Sequence, residues 1–157
     1  MKLTCLFSLA TLAVSVLGSR PTPEPKFTFL FSANLTRGPQ IIYETNEVGT
    51  EVKAFQALTA GGTVRGPKLN ATIVSGTALA SANSDGTIEA DASWLIKTHD
   101  GAMILVTEKA KIPYINVLFE TSSTNYTWLN NVTAWASPQD GAMGSYSLNY
   151  WHISSDS

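Results

Sequence analysis

Six side chains able to do chemistry interrupt otherwise apolar, β-forming stretches of this chain: Arg65, His99, Glu120, Tyr126, Trp128 and Asn130. A carboxyl group turned into a desolvated interior has its pKa raised and suits proton transfer. That makes Glu120, with His99, the candidate catalytic residues. Arg65 and Asn130 would orient an oxygen function of a substrate, Trp128 would form an apolar wall, and Tyr126 would stand at a rim. Each has a structural alternative. Arg65 paired with Glu120 would lower the carboxyl pKa and form a bridge. His99 is one residue from a turn, Trp128 could serve the core, and Asn130 could tie down a loop.

Other chemistries lack their residues. The only cysteine is Cys5, and the two histidines, His99 and His152, lie in separate segments without ligand spacing, so no metal is expected. Gly141-Ala142-Met143-Gly144-Ser145 lacks the frame of a nucleophile elbow. Gly61-Gly62 lacks the strand–turn–helix context of a phosphate loop, and no cofactor is expected.

The elements that must position these residues follow an N-terminal leader. Met1-Lys2 and the apolar run Leu3 to Leu17 are too short to span a bilayer, which needs about 20 apolar residues. They read as a secretory signal over residues 1–18, with cleavage before Ser19 and a proline-rich linker over 19–26. Ten basic and twelve acidic residues give a net charge of −2, and loss of Lys2 with the leader makes it −3. Without a basic patch, neither nucleic acid nor, after signal removal, a membrane is an expected partner. Four sequons, at Asn34, Asn70, Asn125 and Asn131, suit a secreted glycoprotein and require those asparagines to face water.

Strand chemistry fills the rest. Phe27, Phe29 and Phe31 alternate with smaller or polar neighbours, and further runs cover Ile41–Glu44, Glu51–Leu58, Lys68–Val74, Thr87–Thr98, Ala102–Ala110, Tyr114–Glu120, Trp128–Ala136 and Ser145–Ile153. The breaks are rich in Gly, Pro, Asn and Asp. About eight or nine short strands predict an all-β antiparallel sandwich or barrel over residues 27–153. Asp100-Gly101 between two long runs predicts a hairpin with a two-residue type I′ turn.

Four blocks occur in order: Gly62-Thr63-Val64-Arg65-Gly66-Pro67-Lys68-Leu69-Asn70-Ala71, Thr98-His99-Asp100-Gly101-Ala102, Phe119-Glu120-Thr121 and Tyr126-Thr127-Trp128-Leu129-Asn130. This succession resembles the small β-barrel family catalogued as domain of unknown function 3237. The resemblance implies a single antiparallel β-barrel with a central cavity, and it carries no established catalytic residue. Some fungal members resemble accessory proteins of natural-product pathways. The chain departs from the family at Asn70, where relatives tend to have glycine, and at His99, where they are often acidic.

Two functions are compatible with these features. The first is a secreted barrel that holds a small, largely apolar, oxygenated molecule and promotes a proton-transfer, cyclisation or isomerisation step on it, since barrels of about eight strands can enclose one small ligand. The second is a non-enzymatic secreted glycoprotein that meets a protein or glycan through an exposed strip of Tyr146, Tyr150 and Trp151. Oligomeric state is left open by the sequence.

Overall fold

The computed structural model describes residues 24–139 and 145–155, so the leader over residues 1–18 and most of the linker lie outside the described residues. Eight strands are present: β1 (Pro25–Thr45), β2 (Val52–Arg65), β3 (Asn70–Ala82), β4 (Ile88–Thr98), β5 (Met103–Lys111), β6 (Tyr114–Glu120), β7 (Ala134–Gln139) and β8 (Ser145–Ser155). Each pairs antiparallel with the next, and β8 returns to β1, so the sheet closes into a barrel. Closure removes the free edges that an open sheet would expose.

The strands outrun the sequence expectation where bulges absorb the punctuating residues. Arg37-Gly38-Pro39 does not end β1; a register shift between Arg37 and Gln40 carries the strand through it, merging two expected runs. Gly61-Gly62 likewise sits inside β2, within a shift between Leu58 and Thr63. A Cβ on Gly62 would stand 2.4 Å from the Asn34 carbonyl oxygen, so close strand approach requires glycine there. Pro25 and Lys26, expected in the linker, pair with Ser155 and Ser154 of β8.

The hairpin between β4 and β5 forms, with Lys97 opposite Met103. Its turn differs from the predicted type I′. Gly101 has φ of +90° while no non-glycine among the described residues has positive φ, so Asp100 lacks the positive φ that type I′ requires. Gly101 N donates to Thr98 O at 3.0 Å and Thr98 N donates to Ala102 O at 2.9 Å. This is a type I turn followed by a left-handed glycine, the usual three-residue hairpin. Asn83 to Gly86 repeat the recipe, and Asn46 to Gly49 share its turn and left-handed glycine but close one residue later, with Asn46 N on Glu51 O at 3.2 Å; in both the glycine N–H donates to the asparagine carbonyl at 2.9 Å.

The largest departure lies before β7. Trp128–Ala136 is not one strand; Thr127–Asn131 form a 3-10 helix and β7 begins at Ala134. The helix crosses one end of the barrel and drives Leu129 into the core with no exposed surface, while Tyr126 and Val132 are buried beside it. Burying that leucine stabilises the fold by roughly 1.5–3 kcal/mol.

Candidate functional site

Alternation along each strand decides what enters the barrel. On β4, Trp94 and Ile96 point inward; on β5, Ile104, Val106 and Glu108; on β6, Ile115, Val117 and Phe119. Glu108 is therefore in phase with the apolar face and is only 7 % exposed. Its cross-strand neighbours are Ala92 on β4 and Val117 on β6.

Tyr150, with no exposed surface, projects from β8 and donates its hydroxyl hydrogen to Glu108 Oε1, across the lumen. Its ring stacks on Phe31 at 4.5 Å between centroids and lies 6.0 Å from the Trp94 ring; Phe31 in turn meets Phe119 edge-on at 5.9 Å. These four rings make a rigid aromatic floor beside the acid.

Burial raises the Glu108 carboxyl above the ordinary carboxylate range, because the charged form loses its water. The Tyr150 hydroxyl and the Trp94 indole act in the opposite direction, with smaller effect. Trp94 Nε1 is near enough to favour the carboxylate, yet it makes no well-formed hydrogen bond among the described residues. Burial, followed by the Glu108 charge and the shared hydrogen bond, holds the Tyr150 phenol well above its usual pKa, so it remains a donor.

On one side of Glu108 the inward positions carry large, fully buried side chains; on the other most of them carry alanine. The inward row next to Glu108 runs Ala54, Ala80, Ala90, Ala110, Ile115, Ala136 and Tyr150 around the barrel. Glu108's own row continues through Ala92 and Ala78 to Gln56. Methyl side chains leave space that Leu or Ile would occupy, and Ala78, Ala80, Ala90 and Ala110 are only half-buried. The mouth beyond them carries apolar residues, including Ile42, Ile88 and Ile112, exposed by 60 %, 46 % and 42 %. An apolar cup with one acid, one phenol and one amide at its base is the arrangement expected of a small-molecule site.

The residues favoured by the sequence lie elsewhere. Glu120 does not point into the barrel. It follows the inward Phe119 by one residue, so the period of two turns it outward, opposite Leu105 and beside Leu95 and Met103 in a shallow outer depression that Asn130 also lines. The Arg65–Glu120 bridge is not formed; Arg65 is exposed and its Nη1 donates to the Val64 carbonyl at 3.1 Å. His99 is exposed at its turn. Trp128 is 36 % exposed, with the Lys68 ammonium 5.8 Å from its ring centroid, and so lines no interior wall. Asn130 ties a loop: its Oδ1 accepts from Thr121 N and its Nδ2 donates to Thr121 O, both at 2.9 Å.

Tyr126 is buried rather than at an open rim, and its hydroxyl donates to Asp100 Oδ1 at 3.1 Å. Asp100 also accepts from Thr98 Oγ1 and from Asn125 Nδ2; the Thr98 hydroxyl above all holds its carboxyl below the ordinary range. These contacts fasten the closed end of the barrel. The four sequon asparagines are all exposed. Of the expected surface strip, Tyr150 is wholly buried, Trp151 packs edge-on against Phe29 at 5.2 Å, and Tyr146 lies under the Arg37 guanidinium at 3.9 Å.

Glu108, Tyr150, Trp94 and Gln56 are thus the residues sequence reasoning missed. For Glu108 a signal existed: it continues the inward series Ile104, Val106, Glu108 within a recognised strand.

A closed eight-stranded antiparallel barrel holding a buried carboxyl–phenol pair places the protein among small cup-shaped β-barrels. The chain belongs to the family described as Protein of unknown function (DUF3237), whose model matches residues 25–114. Among its relatives is the "Hydroalkoxylation enzyme phnH" of Penicillium herquei, 56 % identical over 153 residues that cover 98 % of this chain and 99 % of that one. A crystal structure of an enzyme from Penicillium herquei superposes with a TM-score of 0.78 at 54 % identity, covering 88 % of this chain and all of that one. A β-barrel-like protein from Acinetobacter baumannii, 22 % identical, shares the fold with a TM-score of 0.76 over 87 % of this chain and the whole of its own.

Proposed function

We propose that this protein is a natural-product tailoring enzyme that catalyses an intramolecular hydroalkoxylation, closing an oxygen-containing ring in a small, largely apolar substrate. The name of its Penicillium herquei relative supports the reaction class, and the similarity extends over nearly the whole of both chains. The observation that carries the chemistry is Glu108, buried against Tyr150 at the base of an alanine-lined lumen.

The reaction adds an O–H bond across a carbon–carbon double bond. Tyr150 donates to Oε1 of Glu108, which leaves Oε2 to carry the acid proton. Glu108 gives that proton to one alkene carbon, forming a C–H bond and leaving positive charge on the other. The substrate hydroxyl oxygen then bonds to the cationic carbon, and its proton returns to the Glu108 carboxylate. The product is an isomer of the substrate, and no oxidant or reductant is consumed. Phe31, Trp94 and Phe119 supply aromatic ring faces, which stabilise a developing cation, and exclude water that would otherwise trap it. Because protonation favours the more substituted cation, a trisubstituted alkene is the preferred reactant.

The test uses ortho-prenylphenol in deuterium oxide. Wild-type protein is expected to yield a ring-closed isomer bearing one non-exchangeable deuterium, and Glu108→Gln none above background. Equal product with Glu108→Gln, or none with wild type, would overturn the assignment.

We further propose that the chain enters the secretory pathway through its leader and is glycosylated at some of the exposed sequons. Glycosidase treatment of protein from the native host is expected to lower its mass; an unchanged mass and an intact N-terminus would contradict this.

A further inference from the structure

We propose that Gln56 is the substrate-orienting residue of the cup, accepting a hydrogen bond from the hydroxyl group that is to be added; this rests on the hydroalkoxylation reading. Gln56 is a buried polar side chain in the lumen, turned inward between Ala54 and Leu58 of β2. Both hydrogens of its amide nitrogen are used. Nε2 donates to Gly38 O at 2.9 Å and to Ala57 O at 2.8 Å, with Pro39 O at 3.4 Å. Two carbonyl oxygens around one atom fix which end of the amide is nitrogen.

Oε1 is left over. No donor among the described residues reaches it, and Trp94 Nε1 is the one side-chain polar atom among them both sealed from solvent and without a partner. Gln56 Oε1 is therefore open to the lumen and unpaired. Once a ligand fills the cup and displaces water, this amide oxygen is costly to leave unmatched, and a hydroxyl donor satisfies it.

Its placement suits the reaction. Gln56, Ala78, Ala92 and Glu108 are consecutive cross-strand partners on one inward row. Gln56 and Glu108 thus flank a span of roughly 14 Å along the curved sheet, at about 4.8 Å per strand, with only two methyl groups between. A substrate lying over Ala78 and Ala92 meets a hydrogen-bond acceptor at one end and a proton donor at the other. Gln56 holds the nucleophilic oxygen without deprotonating it, while Glu108 protonates the alkene. The bulge that carries Gly38 and Pro39 is what anchors the amide: a Cβ on Gly38 would stand 2.6 Å from Thr59 Cγ2, so the close approach of β1 to β2 presents both carbonyls to Nε2.

The experiment compares binding of ortho-prenylphenol with ortho-prenylfluorobenzene, which is close to it in size but has no hydroxyl hydrogen, to wild type, Gln56→Met and Gln56→Glu. Wild type is expected to prefer the free phenol by about tenfold, the worth of one hydrogen bond in a dry site. Gln56→Met is expected to bind both alike, and Gln56→Glu, which keeps an acceptor, to retain the preference. A merely structural Gln56 would weaken both ligands equally and leave their ratio unchanged in all three proteins, which overturns the proposal. Absence of preference in wild type overturns it as well, whether or not either variant folds. If wild type binds both probes but never closes the ring, the hydroalkoxylation reading fails on its own account.

Discussion

The two halves of the lumen, divided at Glu108, use the same strands and the same alternation to opposite ends. Towards the 3-10 helix, the inward positions are Trp94, Ile96, Ile104, Val106 and Val64, each at most 1 % exposed, with Leu129 as plug. Towards the hairpin turns at Asn46–Gly49 and Asn83–Gly86 most are alanines, several of them half-buried, with Ile115 and Tyr150 in the same row and Ile42 and Ile88 at the mouth. An eight-stranded barrel is just wide enough for side chains to fill. Whether it is a core or a container therefore depends on side-chain volume at inward positions, not on topology. Here the filled half supplies stability and the alanine half supplies room, with the acid at their boundary.

Breaking the boundary has the largest expected effect. Glu108→Gln should lower turnover on the order of 100- to 10,000-fold, the usual contribution of a general acid, with the barrel intact by circular dichroism. The same variant sharpens the comparison through pH. The raised Glu108 pKa means that the folded state binds its proton more tightly than the unfolded chain. Wild-type stability from this group is thus fully present below the unfolded carboxyl pKa and is lost as pH rises towards the folded value. Glu108→Gln, always neutral, should exceed wild type in Tm at neutral and higher pH, with the gap closing in acid.

Leu129→Ala attacks the filled half. It should cost about 2–5 kcal/mol in denaturant unfolding and leave KM close to wild type. Ala90→Phe attacks the open half. It should weaken binding of ortho-prenylphenol about tenfold or more, ~1.4 kcal/mol, with less loss of stability than Leu129→Ala because the ring enters open space. Glu120→Gln, on the outer face, should leave turnover unchanged and stability within about 0.5 kcal/mol. A reversed ranking of Leu129→Ala and Ala90→Phe on stability and binding would dissolve the distinction between the halves.

An antiparallel all-β domain was legible in a period of two with Gly-, Asn- and Asp-rich breaks, a pattern that suits a sandwich as well as a barrel; closure was implied only by the family resemblance. Bulges were not: Gly38-Pro39 and Gly61-Gly62 read as chain breaks, since a sequence gives no sign that a neighbouring strand will accommodate an irregular residue. The candidate site was misplaced for a related reason. The motif-like blocks hold Gly66, Asp100, Gly101, Tyr126 and Asn130, whose backbone and hydrogen-bonding demands are strict because they shape and close one end of the barrel. Distinctive residues marked architecture there. Glu108 was readable from its phase with Ile104 and Val106. Tyr150 was not, because the adjacent Tyr150 and Trp151 are both large aromatics and offer the alternation no contrast.

The most direct test of the account is carbon-13 NMR of protein labelled at glutamate carboxyl carbons, titrated from acid to alkaline pH, with Glu108→Gln used to assign the resonance. The account predicts that the Glu108 carboxyl stays protonated above the ordinary carboxylate range. A Glu108 resonance that titrates within the ordinary carboxylate range would contradict it, since a carboxyl ionised at neutral pH has no proton to give an alkene.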